Sequence, residues 1–403
     1  MDIERIRQDF PLLQERRKGK PIVYFDNACQ SLRPQLVIDA INSYYLKSSA
    51  CMGRSMHYLA TEVTRACDES RKTIAKFLNA SRKEEIIFTR NTTEGINLVA
   101  HSMQFNKGDV ILISDKEHNS NLLPWQQLVK KQGAILRITP SKSDNSFDLE
   151  AFEKLLSEGV KLVAIGSTSN LDGLTIPMAA VIKKAHAAGA IVLLDAAQTV
   201  PHQNIDVKAL NVDFLAFSGH KMLGPSGIGI LYGKYALLER MEPFLVGGET
   251  VSSTTYEDGV FLPPPEKFEA GLQDYAGIIG LGAAVSYLQK IGFDSIQKQE
   301  HLLNASLTEG LRDASGITLI GPQDPAPRGG IFSFYKQGTD SHQIALMLDQ
   351  MANIEVRSGQ HCVHSWFHAH KLAGSVRVSF YFYNTLDEIH IFLEKFHQIE
   401  KVL

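Results

Sequence analysis

The chain has 403 residues, of which 44% are hydrophobic, and its formal net charge is −3. This length predicts two domains with a sizeable core, and the nearly balanced charge argues against nucleic acid or an anionic membrane as a partner. The acidic start, Met1-Asp2-Ile3-Glu4, does not resemble a secretion signal, and no apolar run approaches the roughly 18 residues that span a bilayer. Four cysteines are too few for a disulfide framework, so we expect reduced thiols and a cytoplasmic location.

Strands alternate with helical patterns along most of the chain, which is typical of an α/β fold with a mainly parallel sheet. The apolar runs predict strands at 22–25, 85–89, 109–114, 134–138, 161–166, 190–195, 213–218 and 228–232. Helical spacing predicts helices at 3–14, 35–45, 61–78, 96–103, 148–156 and 177–187. Pro263-Pro264-Pro265 indicates an exposed loop, and 276–291 reads as a long, nearly apolar helix that is buried.

The pattern changes near residue 292, where shorter strands and more polar helices begin. Strands are predicted at 317–321, 329–336, 354–358 and 376–382, with helices at 292–311, at 341–351 and from Asp387. This change predicts a large domain over 22–291 and a smaller α+β domain formed by 1–21 and 292–403.

Several polar residues directly follow predicted strands. They are His118, Asn170, Asp195, Gln198 and Lys221. In open parallel sheets, ligands bind at the carboxyl ends of the strands, so we expect these side chains to share one site.

Lys221 lies in the segment Ser218-Gly219-His220-Lys221, between two apolar runs. Burial of a lysine costs desolvation energy and favours the neutral amine, which is the form that makes a Schiff base. Ser218 and His220 add hydrogen-bond donors that suit a phosphate. Considered alone, the segment is also compatible with an exposed loop carrying a solvated lysine.

Thr92 and Thr93 precede a predicted helix that follows the strand at 85–89. Either hydroxyl could cap this helix. The same hydroxyls and the first N–H groups of the helix would equally suit a phosphate.

Five motifs in this order resemble pyridoxal-phosphate (PLP) enzymes of fold type I, in the class V aminotransferase group. The resemblance covers nearly the whole chain and is greatest to cysteine desulfurases of the SufS and selenocysteine lyase-like type. The motifs are Thr92-Thr93-Glu94-Gly95, Glu117-His118 with Asn121 and Pro124-Trp125, Asp195-Ala196-Ala197-Gln198, Ser218-Gly219-His220-Lys221, and Arg357-Ser358-Gly359-Gln360-His361-Cys362. The implied fold has a large PLP-binding domain with a mainly parallel, seven-stranded type of central sheet, and a smaller C-terminal α+β domain.

The resemblance implies a role for each residue near the coenzyme ring. Lys221 would form the Schiff base, Asp195 would pair with the pyridinium nitrogen, and His118 would stack on the ring. Gln198 and Asn170 would contact the ring oxygen. The alternatives are a structural ion pair for Asp195 and an ordinary core position for His118.

The resemblance also implies a phosphate site and a substrate site. The phosphate would be held by Thr92, Thr93, Ser218 and His220. Arg377, helped by Arg357 and Asn170, would bind the substrate carboxylate, because a guanidinium makes a bidentate pair with it. Arg377 could instead belong to a structural ion pair.

The implied reaction converts L-cysteine to L-alanine, with Lys221, His118 and Cys362 as catalytic residues. Lys221 would remove the α-proton, and the Cys362 thiolate would take the sulfur as a persulfide. The sulfur would supply iron–sulfur cluster assembly or thiolation through an acceptor or scaffold protein, and the family leads us to expect a homodimer. An inert surface cysteine is the alternative for Cys362.

Three positions depart from the family. Cys29 replaces the second of two usual alanines, Cys51 precedes an altered loop, and Leu272 replaces a threonine that usually reaches the partner subunit's phosphate. By the resemblance, Cys29 and Cys51 lie near the pocket that Cys362 approaches, so the three thiols could bind a metal or an iron–sulfur cluster. They could instead relay sulfur, or Cys29 and Cys51 could simply be small buried residues.

Two other functions compete with a desulfurase. One is a selenocysteine lyase or another PLP-dependent β-eliminating lyase. The other is a non-catalytic, cluster-binding scaffold on the same fold, which the presence of Lys221, Asp195 and Cys362 argues against.

Overall fold

A seven-stranded sheet forms the centre of the larger part of the molecule in the computed structural model, which describes residues 1–53 and 55–402. Its strands lie side by side in the order Ile86–Thr89, Gly229–Gly233, Phe214–Ser218, Ile191–Asp195, Val160–Gly166, Val110–Ser114 and Ile135–Thr139. Gly229–Gly233 runs antiparallel to both neighbours, and the other neighbouring pairs are parallel. The α/β fold with a mainly parallel sheet is therefore confirmed.

Both faces of this sheet are covered, as its apolar strands require. Successive side chains point to opposite faces, so Val163 and Ile165 join one hydrophobic cluster while Leu162 and Ala164 join the other. The helices of this part of the chain are Gln35–Lys47, Tyr58–Phe77, Thr92–Ser102, Leu123–Gln132, Leu149–Leu156, Met178–Ala187, Val207–Leu210, Tyr235–Arg240 and Tyr275–Ile291.

Tyr275–Ile291 is the buried apolar helix that the sequence predicts, and it packs on helices Gln35–Lys47 and Tyr58–Phe77. Glycine permits the close approach, because a Cβ at Gly282 would lie 2.5 Å from the Ser70 hydroxyl oxygen. Among the helices of residues 1–53 and 55–402, none alone has the length and apolar composition to cross a membrane. This helix reaches that composition only together with Phe293–Gly310, from which it is bent by 76°.

A second, four-stranded antiparallel sheet organises the C-terminal part. Its strands lie in the order Ile317–Ile320, Ile331–Lys336, Ser375–Ser379 and Arg357–Gly359. Helices Phe293–Gly310, Ser341–Ala352, His364–Ala369 and Leu386–Glu400 belong to the same part of the chain. The core between this sheet and its helices is separate from the two clusters of the large sheet.

The N-terminal segment joins this C-terminal part. Strand Val23–Tyr24 pairs in parallel with Ile354–Glu355, and Phe25 packs in the C-terminal core. Residues 22–25, which we predict in the large domain, therefore contact the smaller part of the chain. Leu403, the last residue of the predicted small domain, lies outside the described residues. The division near residue 291 stays a prediction.

Three local predictions are wrong. The helix expected over 3–14 divides into Ile3–Arg7 and a 3₁₀ turn at Pro11–Gln14, because a proline disfavours helical backbone at the residue before it. Helix Thr92–Ser102 is capped by Asn91, whose side chain accepts from the Glu94 N–H at 3.0 Å, and not by a threonine. In the triple proline, the second and third residues are buried.

Arg71 gives a test of the packing between helix and sheet. Its guanidinium is buried and donates to both carboxylate oxygens of Glu269, at 2.8 and 2.7 Å. Arg71→Met should lower the free energy of unfolding by about 3–5 kcal/mol, because it leaves a buried carboxylate without its cation. Arg65→Met is the matched control on the same helix, where an exposed pair with Glu62 should contribute less than about 1 kcal/mol. Urea denaturation measures the free energy of unfolding of both variants. Equal losses in the two variants would show that the buried Arg71–Glu269 pair contributes no more than the exposed pair.

Candidate active site

A cavity of about 400 Å³ lies at the carboxyl ends of the central strands. The final residues of four strands line it, namely Ser114, Gly166, Asp195 and Ser218. The predicted site residues that line it are Thr92, Thr93, His118, Asn170, Asp195, Gln198, Ser218, His220, Lys221, Arg357, Cys362 and Arg377. The structure thus brings together every residue predicted to contact coenzyme or substrate.

Lys221 stands on the 3₁₀ turn Gly219–Lys221, directly after strand Phe214–Ser218. The turn is tight, because a Cβ at Gly219 would lie 2.9 Å from a methyl group of Ile228. Desolvation in the cavity lowers the pKa of Lys221, although the nearby Asp195 carboxylate opposes this shift. Asp195 is itself buried and accepts the Ala197 N–H at 3.0 Å. The lowered pKa makes the neutral amine of Lys221 easier to reach than that of a solvent-exposed lysine.

Hydroxyl groups and a helix N-terminus gather at one end of the cavity. The Ser218 hydroxyl accepts the Thr92 N–H at 2.8 Å and lies 2.6 Å from the Thr92 hydroxyl. Thr93 shares a hydrogen bond of 2.8 Å with Ser120. Burial and the charge of Lys221 lower the pKa of His220 to about 4, so its imidazole is neutral at pH 7. Such donors at the start of a helix suit a phosphate.

His118 is a neutral imidazole in the cavity wall. Burial, followed by the positive charge of Lys221, lowers its pKa to about 3. Its Nδ1 accepts the Ser120 N–H at 3.1 Å, which fixes the orientation of the ring. The ring is buried, which fits an ordinary core position, and it also lines the cavity among the groups expected to contact a coenzyme.

Glu117 organises the residues around His118, a role that the sequence did not predict. Its buried carboxylate accepts hydrogen bonds from the Ser114 hydroxyl at 2.6 Å and the Asn121 amide at 2.7 Å. It also accepts the Gly166 N–H, at 3.0 and 2.9 Å to its two oxygens. Asn121 in turn accepts from the Trp125 indole at 3.1 Å. These residues hold His118 in place from behind.

Two arginines define the other end of the cavity. Arg377 is buried, donates to the Asn170 carbonyl at 2.9 Å and forms an ion pair with Asp26 at 3.3 Å. Arg357 also pairs with Asp26, at 3.6 Å, and its Nη1 lies 2.7 Å from the Cys29 sulfur. Asp26 could not be predicted as a site residue, because no local sequence pattern links it to a partner 351 residues away.

Lys116 is another cavity residue that was not predicted from the sequence. It lines the cavity and forms an ion pair of 2.8 Å with the buried Asp172. Its position directly before the Glu117-His118 motif was the available signal.

The four cysteines do not meet in one place. Cys29 and Cys362 line the cavity, whereas Cys51 is exposed and does not line it. Cys67 is buried on its helix, and burial raises its thiol pKa to about 12. Across residues 1–53 and 55–402, no three His, Cys, Asp or Glu side chains are arranged to hold a metal ion. The metal or cluster site predicted from Cys29, Cys51 and Cys362 is therefore not formed within this chain, because Cys51 lies outside the cavity.

Unpaired polar atoms in the cavity wall provide a test of whether PLP fits. Gln198 Oε1 and Arg377 Nε are buried and have no protein partner in the described part of the chain. The other polar atom of Gln198, Nε2, donates to the Ala28 carbonyl at 2.6 Å. A buried acid, an amine, a neutral imidazole and a phosphate-type cradle complete a donor set that matches PLP.

Sequence comparison identifies the family. Residues 23–392 match the class V aminotransferases. The chain is 42% identical over 392 residues to a probable cysteine desulfurase of Halalkalibacterium halodurans, covering 96% of each protein. It is 40% identical over 405 residues to the cysteine desulfurase of Dickeya dadantii, covering 100% of this chain and 97% of that one.

Solved structures agree with this result. The cysteine desulfurase of Thermococcus onnurineus matches with a TM-score of 0.94 at 39% identity, over 99% of this chain and 98% of that one. The cysteine desulfurase CsdA of Escherichia coli, in an S-sulfonic acid form, matches with a TM-score of 0.91 at 31% identity, over 100% and 99%. Fold and site therefore define a PLP-dependent enzyme of fold type I. The chain belongs to the class V aminotransferase family, where it is similar to cysteine desulfurases.

The low pKa of His118 predicts how stability depends on pH. The ordinary histidine pKa of 6.5 falls to about 3 in the fold, so the unfolded chain binds the extra proton as the pH drops below 6.5. Stability is therefore lost on acidification, by roughly 2 kcal/mol between pH 7 and pH 5 for this residue. His118→Phe should remove that part of the loss.

Urea denaturation at pH 7 and pH 5 measures the difference. His101→Phe, at an exposed helical position, controls for the introduction of a phenylalanine. If His118→Phe and wild type lose the same free energy between the two pH values, the proposed neutral state of His118 is wrong.

Proposed function

We propose that this chain is a PLP-dependent cysteine desulfurase of the SufS-like type, which converts L-cysteine to L-alanine and carries the sulfur on Cys362. One observation supports this proposal above the others. A single cavity contains the Lys221 amine, the buried Asp195 carboxylate and the Cys362 thiol. The curated relatives named cysteine desulfurase match the chain over nearly its full length.

The coenzyme would be held by groups of three kinds. Asp195 would face its ring nitrogen, His118 would contact the ring face, and Gln198 and Asn170 would face its ring oxygen. The phosphate ligands would be Thr92, Thr93, Ser218 and His220. When bound, PLP supplies an electron sink that makes the α-proton of an amino acid acidic.

Lys221 and Arg377 would act on the substrate itself. Arg377 can pair with the substrate carboxylate through its free Nε, while its other nitrogens stay bonded to Asn170 and Asp26. The neutral amine of Lys221, favoured by desolvation, would accept the α-proton. Arg377 would then form a structural ion pair with Asp26 and also bind the substrate carboxylate.

Cys362 would receive the sulfur. A thiolate attacks the substrate sulfur, the carbon–sulfur bond breaks as a sulfur–sulfur bond forms, and a proton on the carbon completes L-alanine. Cys362 is partly buried, and its carbonyl accepts the Asn119 N–H at 2.8 Å. His361 and Cys362 both have left-handed backbone, with φ of 50° and 60°, which turns the loop at the cavity.

We also propose where the sulfur goes. The Cys362 persulfide would pass to a thiol of an acceptor or scaffold protein, for iron–sulfur cluster assembly or thiolation. Persulfide transfer between thiols needs no added oxidant, because each step is a thiol–disulfide type of exchange. Free cysteines at 29, 51, 67 and 362 are consistent with a reducing, cytoplasmic location.

We propose a homodimer from the exposed apolar surface around the hairpin of strands Val251–Thr254 and Gly259–Phe261. Val260 is 60% exposed and Leu272 is 70% exposed, and Val246 and Tyr256 are exposed nearby in the sequence. Exposed apolar side chains in such number along one segment favour association. Leu272, in place of the usual threonine, would add an apolar contact where the family has a polar one.

Replacing the proposed nucleophile tests the reaction. Cys362→Ala should abolish alanine formation from L-cysteine while the coenzyme stays bound, because Lys221 and Asp195 are unchanged. Alanine is measured by chromatography and the coenzyme by its absorption. Cys51→Ser, outside the cavity, should retain activity. Continued alanine formation by Cys362→Ala would contradict the nucleophile assignment, and pyruvate in place of alanine would indicate a β-eliminating lyase.

Sedimentation velocity tests the dimer. The wild type should sediment with twice the mass of one chain. Val260→Asp combined with Phe261→Asp should yield single chains, because two charges would be buried without partners. Leu346→Asp, at an exposed leucine on helix Ser341–Ala352, is the control and should stay dimeric. A wild type that sediments as one chain would refute the dimer.

A further inference from the structure

Cys29 is a thiol in the active-site cavity that the proposed reaction does not use. It follows Ala28 directly, and both residues line the cavity together with Cys362. The Arg357 guanidinium donates to the Cys29 sulfur over 2.7 Å and also pairs with Asp26 at 3.6 Å. Cys29 is therefore not a purely apolar packing residue, because its sulfur accepts a hydrogen bond from the charged Arg357 guanidinium.

Two arginine side chains lie beside the Cys29 sulfur. The Arg357 guanidinium contacts this sulfur, and the charge of Arg377 also interacts with it. The opposing carboxylates are Asp26, which pairs with both arginines, and Asp195, which faces Lys221. Two guanidinium groups suit the negative charge that passes between sulfurs in a transfer, and they repel a metal cation.

Cys29 and Cys362 are also coupled through one structural element. Strand Arg357–Gly359 carries the guanidinium that contacts Cys29, and the chain then turns through the left-handed residues Gly359, His361 and Cys362. The charge of Arg357 interacts with both sulfurs. The two thiols thus share a cavity and a cation, which favours a transfer of sulfur between them.

We propose that Cys29 is a second sulfur-carrying residue, which takes the outer sulfur of the Cys362 persulfide. The proposal rests on the desulfurase function proposed above. The Cys29 thiolate attacks the outer sulfur, a new sulfur–sulfur bond forms on Cys29, and Cys362 leaves as a thiolate. No oxidant or reductant is needed, since one persulfide and one thiolate give one persulfide and one thiolate. Cys362 is then free to react with a second L-cysteine.

The number of alanine molecules formed in the first burst tests this transfer. The PLP-loaded enzyme is mixed with L-cysteine in the absence of acceptor protein and reductant, quenched rapidly and alkylated. Wild type should release about two alanine molecules per chain in the burst, one for each thiol that becomes loaded. Peptide mass spectrometry should find an extra sulfur on both the Cys29 and the Cys362 peptides.

Variants separate this transfer from other routes. Cys29→Ser keeps a polar partner for Arg357 and should release about one alanine per chain, with sulfur on Cys362 alone. Cys51→Ser should match the wild type, and Cys362→Ala should load neither peptide. Cys29→Ala, the residue usual in the family, provides a second variant should the serine variant not fold.

The wild-type peptides decide the result without any variant. A Cys29 peptide that stays unmodified while Cys362 carries one sulfur, or carries several, would overturn the proposal. Sulfur on Cys29 in Cys362→Ala would also overturn it, because Cys29 would then react with the substrate directly. If the wild type forms no alanine at all, the desulfurase function itself fails, and this inference fails with it.

Discussion

The structure depends on a local excess of positive charge, because Arg357 and Arg377, which line the cavity at the ends of the central strands, share the carboxylate of Asp26. Lys116 and Lys221, which also line the cavity, are opposed by Asp172 and Asp195. Desolvation makes such an arrangement costly by itself. The cost is offset when anions enter, whether a coenzyme phosphate, a substrate carboxylate or a thiolate. Ligand binding, proton transfer and sulfur transfer therefore all depend on the same charged side chains. The fold fixes the positions of these side chains before any ligand binds.

Much of this site could be predicted because its residues follow apolar strands. Asp195 and Lys221 each end a run of buried residues, and the parallel sheet brings such ends together. The fold class followed from the same alternation of strands and helices. His118 could be placed by the strand before it. Its protonation state could not, since that depends on burial in the folded cavity and then on Lys221, which lies far away in the sequence.

The residues that were missed have partners distant in the sequence. Asp26 contacts Arg377 across 351 positions, and Lys116 contacts Asp172, and neither pair has a periodic pattern to announce it. The cysteine prediction failed for Cys51 for a related reason. Proximity had been inferred from family position, whereas exposure and the path of the surrounding segment decide whether a side chain reaches the cavity. Long-range pairing is a property of the folded chain, not of local composition.

The pairing of the two ends of the chain has a consequence for how the enzyme is made. Strand Val23–Tyr24 lies beside Ile354–Glu355, and Ser379 accepts hydrogen bonds from the Asn27 amide and the Ala28 N–H. A nascent chain still held by the ribosome near residue 370 would possess Lys221 and the coenzyme cradle but no Arg377. Non-local contacts of this kind form late. The substrate side of the cavity is therefore complete only once the segment that carries Arg377 has been synthesised and has packed against Asp26 and Ala28.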